Sequence, residues 1–289
     1  MKIITQPKIT KKELNKIIKY NADVEQSGYR PWNTIRQSGT FGQGQEMWSR
    51  LSDRTHHLYS RGERSNFVVV ESLPNVIDLR EQYPLPIDET LSLARELNIR
   101  HPGAYAERHE HDGITPAKTM TSDLVATFEL PSGEHVYKVY SFKYSKALDY
   151  ARNPHSASRT WKKLELERVF WQRQGIKWAL VTEQCFNKTY IYNLEYLRNC
   201  FQYPDLLDVS TDFELLFIQT FRGCYKSKPL LTLRQLLEIV AADLNIPLYQ
   251  AHALFQKVVY FRKLKIDLFQ QIELYRPLSK DWAEVEYAA

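Results

Sequence analysis

Apolar positions recur along this chain with two rhythms, and the changes between them mark the elements. Arg61 to Glu71 predicts a helix, with Ser60 as its N-cap, an apolar side of Phe67, Val68 and Val70, and Pro74 beyond its end. Asn75 to Tyr83 then alternates apolar and polar, as a half-buried strand does, and Pro84 and Pro86 close it. Residues 89–98 predict a short helix and 101–118 a charged loop. Asp123–Leu130 and His135–Lys143 read as two strands around the tight turn Pro131-Ser132-Gly133-Glu134. On the second strand, period two puts Val139, Ser141 and Lys143 on one face and Tyr140, Phe142 and Tyr144 on the other. Ser156 or Ser158 opens a helix that runs through Gln174 with a wide apolar face, and Gly175 stops it. Lys177–Thr182 is nearly all apolar, the pattern of a strand buried on both sides. Helix, strand, hairpin, helix, strand predicts an α/β fold, a mixed sheet with flanking helices.

Beyond Glu183 the rhythm is mostly helical, and we expect a domain boundary there, with domains at 1–183 and 184–289. Helices are predicted over Ile191–Arg198, Leu206–Arg222, Thr232–Asp243 and Leu248–Arg262, followed by two short strands, Lys265–Phe269 and Gln271–Tyr275. Helix, short turn, helix and small hairpin make a winged-helix outline. The exposed side of the second of these helices is expected to carry Lys257, Arg262 and the adjoining Lys263. That is few cations for a DNA reader, so docking of a protein partner is the expected role.

Composition narrows the class. The chain has 289 residues, 43% hydrophobic and 25% charged, which suits a globular protein of two domains. No apolar run is long enough to span a membrane, and the first residues lack the core of a signal peptide, so a cytoplasmic location is expected. Cys185, Cys200 and Cys224 are odd in number and lack CxxC spacing, which argues against a disulfide framework and a zinc cluster. The net charge of +5 is concentrated early: residues 1–50 hold nine Lys/Arg against four Asp/Glu. Leu14, Ile17 and Ile18 are expected to share a buried face of a basic N-terminal helix. That arm suits a nucleic-acid backbone, or is only a solvated face.

The candidate chemistry lies in three pieces: Glu63, Ser122-Asp123-Leu124 and Ser141-Phe142-Lys143. A carboxylate from a helix, an Asp opening a strand and a Lys ending the returning strand suit a metal-dependent nuclease. Carboxylates hold hard Mg²⁺ through oxygen, and a cation is needed where charge builds up on the phosphate. The histidines make poorer ligands: His56 and His57 are adjacent, and His109 and His111 lie in a charged loop without a third partner. No phosphate-binding glycine loop or nucleophile elbow occurs.

Three longer runs carry a resemblance: Arg54-Thr55-His56-His57-Leu58, Val76 through Leu85, and Lys163-Leu164-Glu165-Leu166-Glu167-Arg168. With them the chain resembles the TnsA family, endonuclease subunits of heteromeric cut-and-paste transposons. The resemblance implies a restriction-endonuclease-like first domain and a winged-helix-like second one. It also implies cleavage of the 5′ strand at transposon ends in the bacterial cytoplasm, beside a DDE transposase (TnsB-like) and an ATP-using regulator (TnsC-like). By position Glu63, Asp123 and Lys143 are the implied catalytic residues, with Mg²⁺, or Mn²⁺ in its place, as cofactor. Ser141 stands where the family carries Gln or Glu. Its short neutral hydroxyl implies a bridging water, the carbonyl of Phe142, or a substitute carboxylate such as Glu167 at the metal. The alternatives are a stand-alone restriction or repair nuclease, and a non-catalytic adaptor that has lost its metal at Ser141.

Overall fold

The structure, a computed structural model, describes residues 4–37, 43–203 and 209–279. They form two compact units, one of residues 1–71 and 75–185 and one of 72–74 and 186–289.

The first unit is built on a sheet of β3 (Val76–Pro84), β4 (Thr121–Glu129), β5 (His135–Phe142) and β6 (Lys177–Val181), in that order. β3, β4 and β5 are antiparallel neighbours, while β6 runs parallel to β5. That parallel step requires a crossover, which the short α4 (Ser145–Leu148) and the long α5 (Pro154–Arg173) supply. Asn153, not a serine, caps α5: its side chain accepts from Ser156 N, and Pro154 takes the first helical position, where its missing N–H costs nothing. Leu166, Phe170 and Trp171 of α5 pack with Leu93 and Ala94 of α3 (Ile87–Glu96) onto Val125 of β4 and Val139 of β5. α2 (Arg61–Glu71) contacts β3, β4 and β5 and buries Phe67, Val68 and Val70. Phe142 turns away from α5 and meets Gly62 of α2.

β6, read from the sequence as buried on both sides, is the edge strand of the sheet and leaves Lys177 and Ala179 exposed. The basic N-terminal helix also departs from the sequence expectation, and a hairpin forms where the sequence predicts none. Residues 45–58 form a hairpin, β1 (Gln45–Ser49) with β2 (Arg54–Leu58). Its alternation is short, and its anchor is a distant carboxylate, Glu81 on β3. The basic helix α1 (Lys11–Ser27) leaves Leu14 and Ile18 exposed and buries Glu13 and Tyr20. Glu13 is drawn in by two hydrogen bonds, from Thr119 N at 2.9 Å and Thr119 Oγ1 at 2.7 Å. Tyr20 sets its ring edge-on against buried Trp32. Polar pairing overrides the apolar stripe here.

The second unit is mostly helical: α6 (Lys188–Leu197), α7 (Thr211–Ser227), α8 (Leu233–Asp243) and α9 (Leu248–Tyr260). The start expected for α7, at Leu206, lies outside the described residues. Thr232 and Gln235 open α8 with a reciprocal capping box. α9 touches α6, α7 and α8, and residues 253–260 of it are all buried. Among the described residues it is the central helix of this unit, and beyond its first turn, where Tyr249 is exposed, it offers little surface to lay in a DNA groove. Lys257, expected on an exposed side, is 4% exposed and pairs with Glu214 of α7, as does Lys263. The winged-helix outline is not completed either. Leu264, Ile266, Leu268 and Ile272 are buried in alternation, yet no strand forms over residues 261–279. The Asn193 side chain replaces a ladder partner: its Nδ2 donates to the carbonyls of Leu268 and Gln270, and its Oδ1 accepts from Ile272 N. Side-chain capture of these backbone groups satisfies them without a second strand.

Among the described residues no helix is long and apolar enough to cross a membrane. The three cysteines are free.

Candidate functional site

The turn between β4 and β5 returns the chain so that β5 ends beside the start of β4. Leu124 faces Tyr140 in the register, which brings Asp123 to the last residues of β5. Asp123 Oδ2 accepts from Phe142 N at 2.8 Å and from Lys143 Nζ at 2.9 Å. Its other oxygen makes no hydrogen bond among the described residues. Lys143 also donates to the carbonyl of Phe142 at 2.7 Å. An ammonium has three protons, so one remains for an incoming group. Burial disfavours the charge on Lys143, but Asp123, then Glu167 and Glu63, outweigh it and lift its pKa above the ordinary value. Lys143 is therefore cationic at any working pH.

Glu63 arrives from the first turn of α2. Ser60 Oγ accepts from Glu63 N at 3.1 Å, and the Glu63 carboxylate accepts from Tyr59 N at 3.1 Å and Ser60 Oγ at 3.2 Å. These bonds begin the helix and fix the carboxylate at once. Burial, then the charge of Asp123, pushes its pKa up to about 7.

Ser141 takes a different place from the other candidates. It is fully buried, with Oγ donating to Glu167 Oε1 at 2.6 Å and accepting from Trp178 Nε1 at 3.1 Å. Ser122 Oγ, beside the Glu167 carboxylate on α5, accepts from Trp171 Nε1 at 2.8 Å. Burial, then the charge of Asp123, lifts the Glu167 pKa to about 7 as well. A glutamate thus stands behind Ser141, reaching the site from a helix instead of from the strand. Its only signal in the sequence is its place in the run Lys163–Arg168.

His56 is not part of this cluster. It lies fully buried with Nδ1 2.7 Å from Glu81 Oε2 and Nε2 2.6 Å from Ser52 Oγ. His57 Nδ1 is 3.6 Å from Glu46.

Gly62 shows how closely the site is packed. A Cβ added there would lie 1.9 Å from Cζ of Phe142. The backbone of that same residue bonds Asp123 and accepts from Lys143. Gly62→Ala is therefore expected to cost about 1–3 kcal/mol by overpacking and to displace the site with it. Urea unfolding at pH 7 checks the first part; a midpoint equal to wild type would show that the ring has room to yield.

The donors present suit a hard divalent cation: carboxylate and carbonyl oxygens, with three acidic groups around one lysine. Among the described residues no three His, Cys, Asp or Glu side chains are already arranged to hold a metal. Glu63 and Glu167 are turned onto internal donors, which leaves the free oxygen of Asp123 and the accumulated negative charge as the features a cation would meet.

Residues 73–183 match the family described as TnsA-like endonuclease N terminal. Asp123, Ser141, Lys143 and Glu167 lie inside that match and Glu63 just before it. Over 169 residues the chain is 30% identical to the transposon Tn7 transposition protein TnsA of Escherichia coli. The alignment covers 58% of this chain and 55% of that protein, so the chain spans about half the length of the relative it matches. These matches make the chain similar to TnsA-type proteins over about half its length, with residues 73–183 matching a TnsA-like endonuclease N-terminal domain.

Proposed function

We propose that this protein is a divalent-metal-dependent endonuclease that hydrolyses the 5′ strand at transposon ends. It would work beside a TnsB-like transposase and a TnsC-like ATPase, the second unit (72–74 and 186–289) serving as the docking part. The observation that carries the reading is Asp123, fixed by Phe142 N and Lys143, with two further carboxylates that feel its charge. In this reading the free oxygen of Asp123, Glu63 and the Phe142 carbonyl hold Mg²⁺, for which Mn²⁺ substitutes. Ser141 acts through Glu167, holding that carboxylate ready behind the site. When bound, the metal supplies a more acidic water and neutralises charge on the phosphate. Lys143 is held cationic by its neighbours, so it is a poor proton acceptor. Its third N–H instead steadies the attacking hydroxide or the scissile phosphate, where negative charge grows.

The test is strand-specific cleavage of labelled transposon-end DNA with Mg²⁺ or Mn²⁺, with and without the transposase partner. A partner-dependent 5′ cut supports the reading. A cut by the chain alone favours a stand-alone nuclease, and no cut in any metal, with 3′ joining intact, favours the adaptor.

Metal binding also has a thermal signature. The pKa values of Glu63 and Glu167 rise from 4.5 to about 7 on folding. The folded chain therefore holds more protons than the unfolded one between those values. Stability from this source is complete below 4.5 and is lost as pH rises through about 7. A bound divalent cation favours the ionised carboxylates. Mg²⁺ is therefore expected to raise Tm at about pH 8 and to do little near pH 5. Thermal melts at both pH values, with and without Mg²⁺, check this. A Tm that ignores Mg²⁺ at both counts against the metal site.

A further inference from the structure

A second feature of the first unit is a cleft of about 440 Å³ beside α5, lined by Arg100, Arg159, Lys162 and Lys163 together with Tyr105 and His155. No carboxylate lines it. Among the described residues none of the four Lys and Arg side chains makes an ion pair, although Arg54, Arg80, Arg168 and Arg173 of the same unit do. The guanidinium carbons of Arg100 and Arg159 lie 5.8 Å and 5.7 Å from the centre of the Tyr105 ring. One aromatic ring therefore holds two like charges at the cleft, an arrangement that leaves a surplus of positive charge unanswered. Desolvation first, and then the like charges of Arg159 and Lys143, lowers the pKa of Lys163.

The place of the cleft indicates its ligand. Arg159, Lys162 and Lys163 occupy one side of α5, at the i, i+3, i+4 spacing of a helix face. One turn further on, Glu167 reaches Ser141 in the candidate site. Four residues of helix advance about 6 Å, and a duplex strand advances about 3.4 Å per nucleotide. The cleft and the site are thus separated along the helix by one or two nucleotide steps. Guanidinium forks suit the paired oxygens of a phosphodiester. We propose that this cleft holds a backbone phosphate of the DNA strand next to the one that is cut, so that the strand is clamped on the cations of α5 while Lys143 meets its neighbour. The proposal rests on the nuclease reading and adds the residues that position its substrate.

The test measures duplex binding by fluorescence anisotropy in metal-free buffer as salt is raised from about 50 to 200 mM. It compares the full-chain wild type, the double variant Arg100→Ala/Arg159→Ala, and Lys162→Gln, whose exposed side chain makes no ion pair whose loss would unfold the chain. Each phosphate no longer neutralised should reduce the slope of log K against log salt by about 0.9. The double variant is expected to lose one to two such units and to bind at least about tenfold more weakly at low salt. Lys162→Gln should show a smaller loss in the same direction with an unchanged melting temperature. Wild-type binding with slopes unchanged in both variants would overturn the clamp; if 5′ cleavage by the wild type persists, the nuclease reading survives. A wild type that neither binds duplex nor cleaves would overturn both.

Discussion

Asp123→Asn is expected to lower 5′-strand cleavage by about 10³-fold while leaving Tm close to wild type. The substitution is nearly isosteric, and the amide oxygen can still accept from Phe142 N and Lys143 as the carboxylate does. Those two bonds fix the rotamer and place the amide NH₂ where the free carboxylate oxygen stands now. A donor carrying partial positive charge then faces the position proposed for the cation. The charge that holds the pKa of Glu63, Glu167 and Lys143 up is removed at the same time. The fold should tolerate this, because removing Asp123's charge relieves the repulsion on two buried carboxylates. Cleavage rates for wild type and variant, measured with the same transposase partner and saturating Mg²⁺, decide it. Activity within tenfold of wild type would remove Asp123 from the metal site and leave the salt bridge to Lys143 as a structural pair.

The convergence of Asp123 and Lys143 is legible in the sequence because it depends on local rules. Alternation defines both strands, Pro131-Ser132-Gly133 defines the turn, and a hairpin returns its last residue to the level of its first. Glu63 is legible as a carboxylate in a first helical turn. What stays hidden requires interactions across long separations. Glu167 lies 26 residues beyond Ser141; its place in the run Lys163–Arg168 marks it as a substitute carboxylate, but no periodicity shows that Ser141 itself will hold it. The cleft draws Arg100, beyond the end of α3, to cations on α5, of which only the helical spacing of Arg159, Lys162 and Lys163 can be read. Lys257 reads as a solvated cation because lysines usually are; its burial depends on Glu214, which stands 43 positions earlier in the chain. In the same way the alternation of residues 264–272 is a true burial pattern, but only the fold shows that Asn193 substitutes for a second strand. The runs Arg54–Leu58 and Val76–Leu85 are visible as runs, and their physical reason is a single buried ion node.

That node carries the largest expected effect on stability: Glu81→Gln should cost about 3 kcal/mol at pH 7. Glu81 is fully buried on β3 and accepts four hydrogen bonds. Arg54 Nη1 and Nη2 donate at 3.0 and 2.6 Å, His56 Nδ1 at 2.7 Å and His57 N at 3.1 Å. Burial alone would raise its pKa, but the bonds from His56 and Arg54 outweigh it and bring the value down from 4.5 to about 2. Burial keeps His56 itself below its ordinary pKa. It is thus a neutral donor at Nδ1, and its Nε2 accepts from Ser52 Oγ. The substituted glutamine would keep one acceptor oxygen and leave Arg54 facing an amide without its counter-charge. The sign with pH follows from the depressed value. The stabilisation is complete above 4.5 and is lost as pH falls toward about 2. The difference between wild type and Glu81→Gln should therefore shrink over that window, because a protonated Glu81 and a glutamine in its place are nearly equivalent. Urea unfolding of both proteins at pH 7 and in steps down to about pH 3 tests this. A difference below about 0.5 kcal/mol at pH 7, or one that stays constant with pH, would show that the charge of Glu81 does not hold the hairpin. The consequence for function runs through β2, the strand that carries Arg54 and His56. Tyr59, the residue after β2, donates to Glu63. A hairpin released from Glu81 would let that donor move, and the candidate metal carboxylate of α2 would lose one of the two bonds that fix its position.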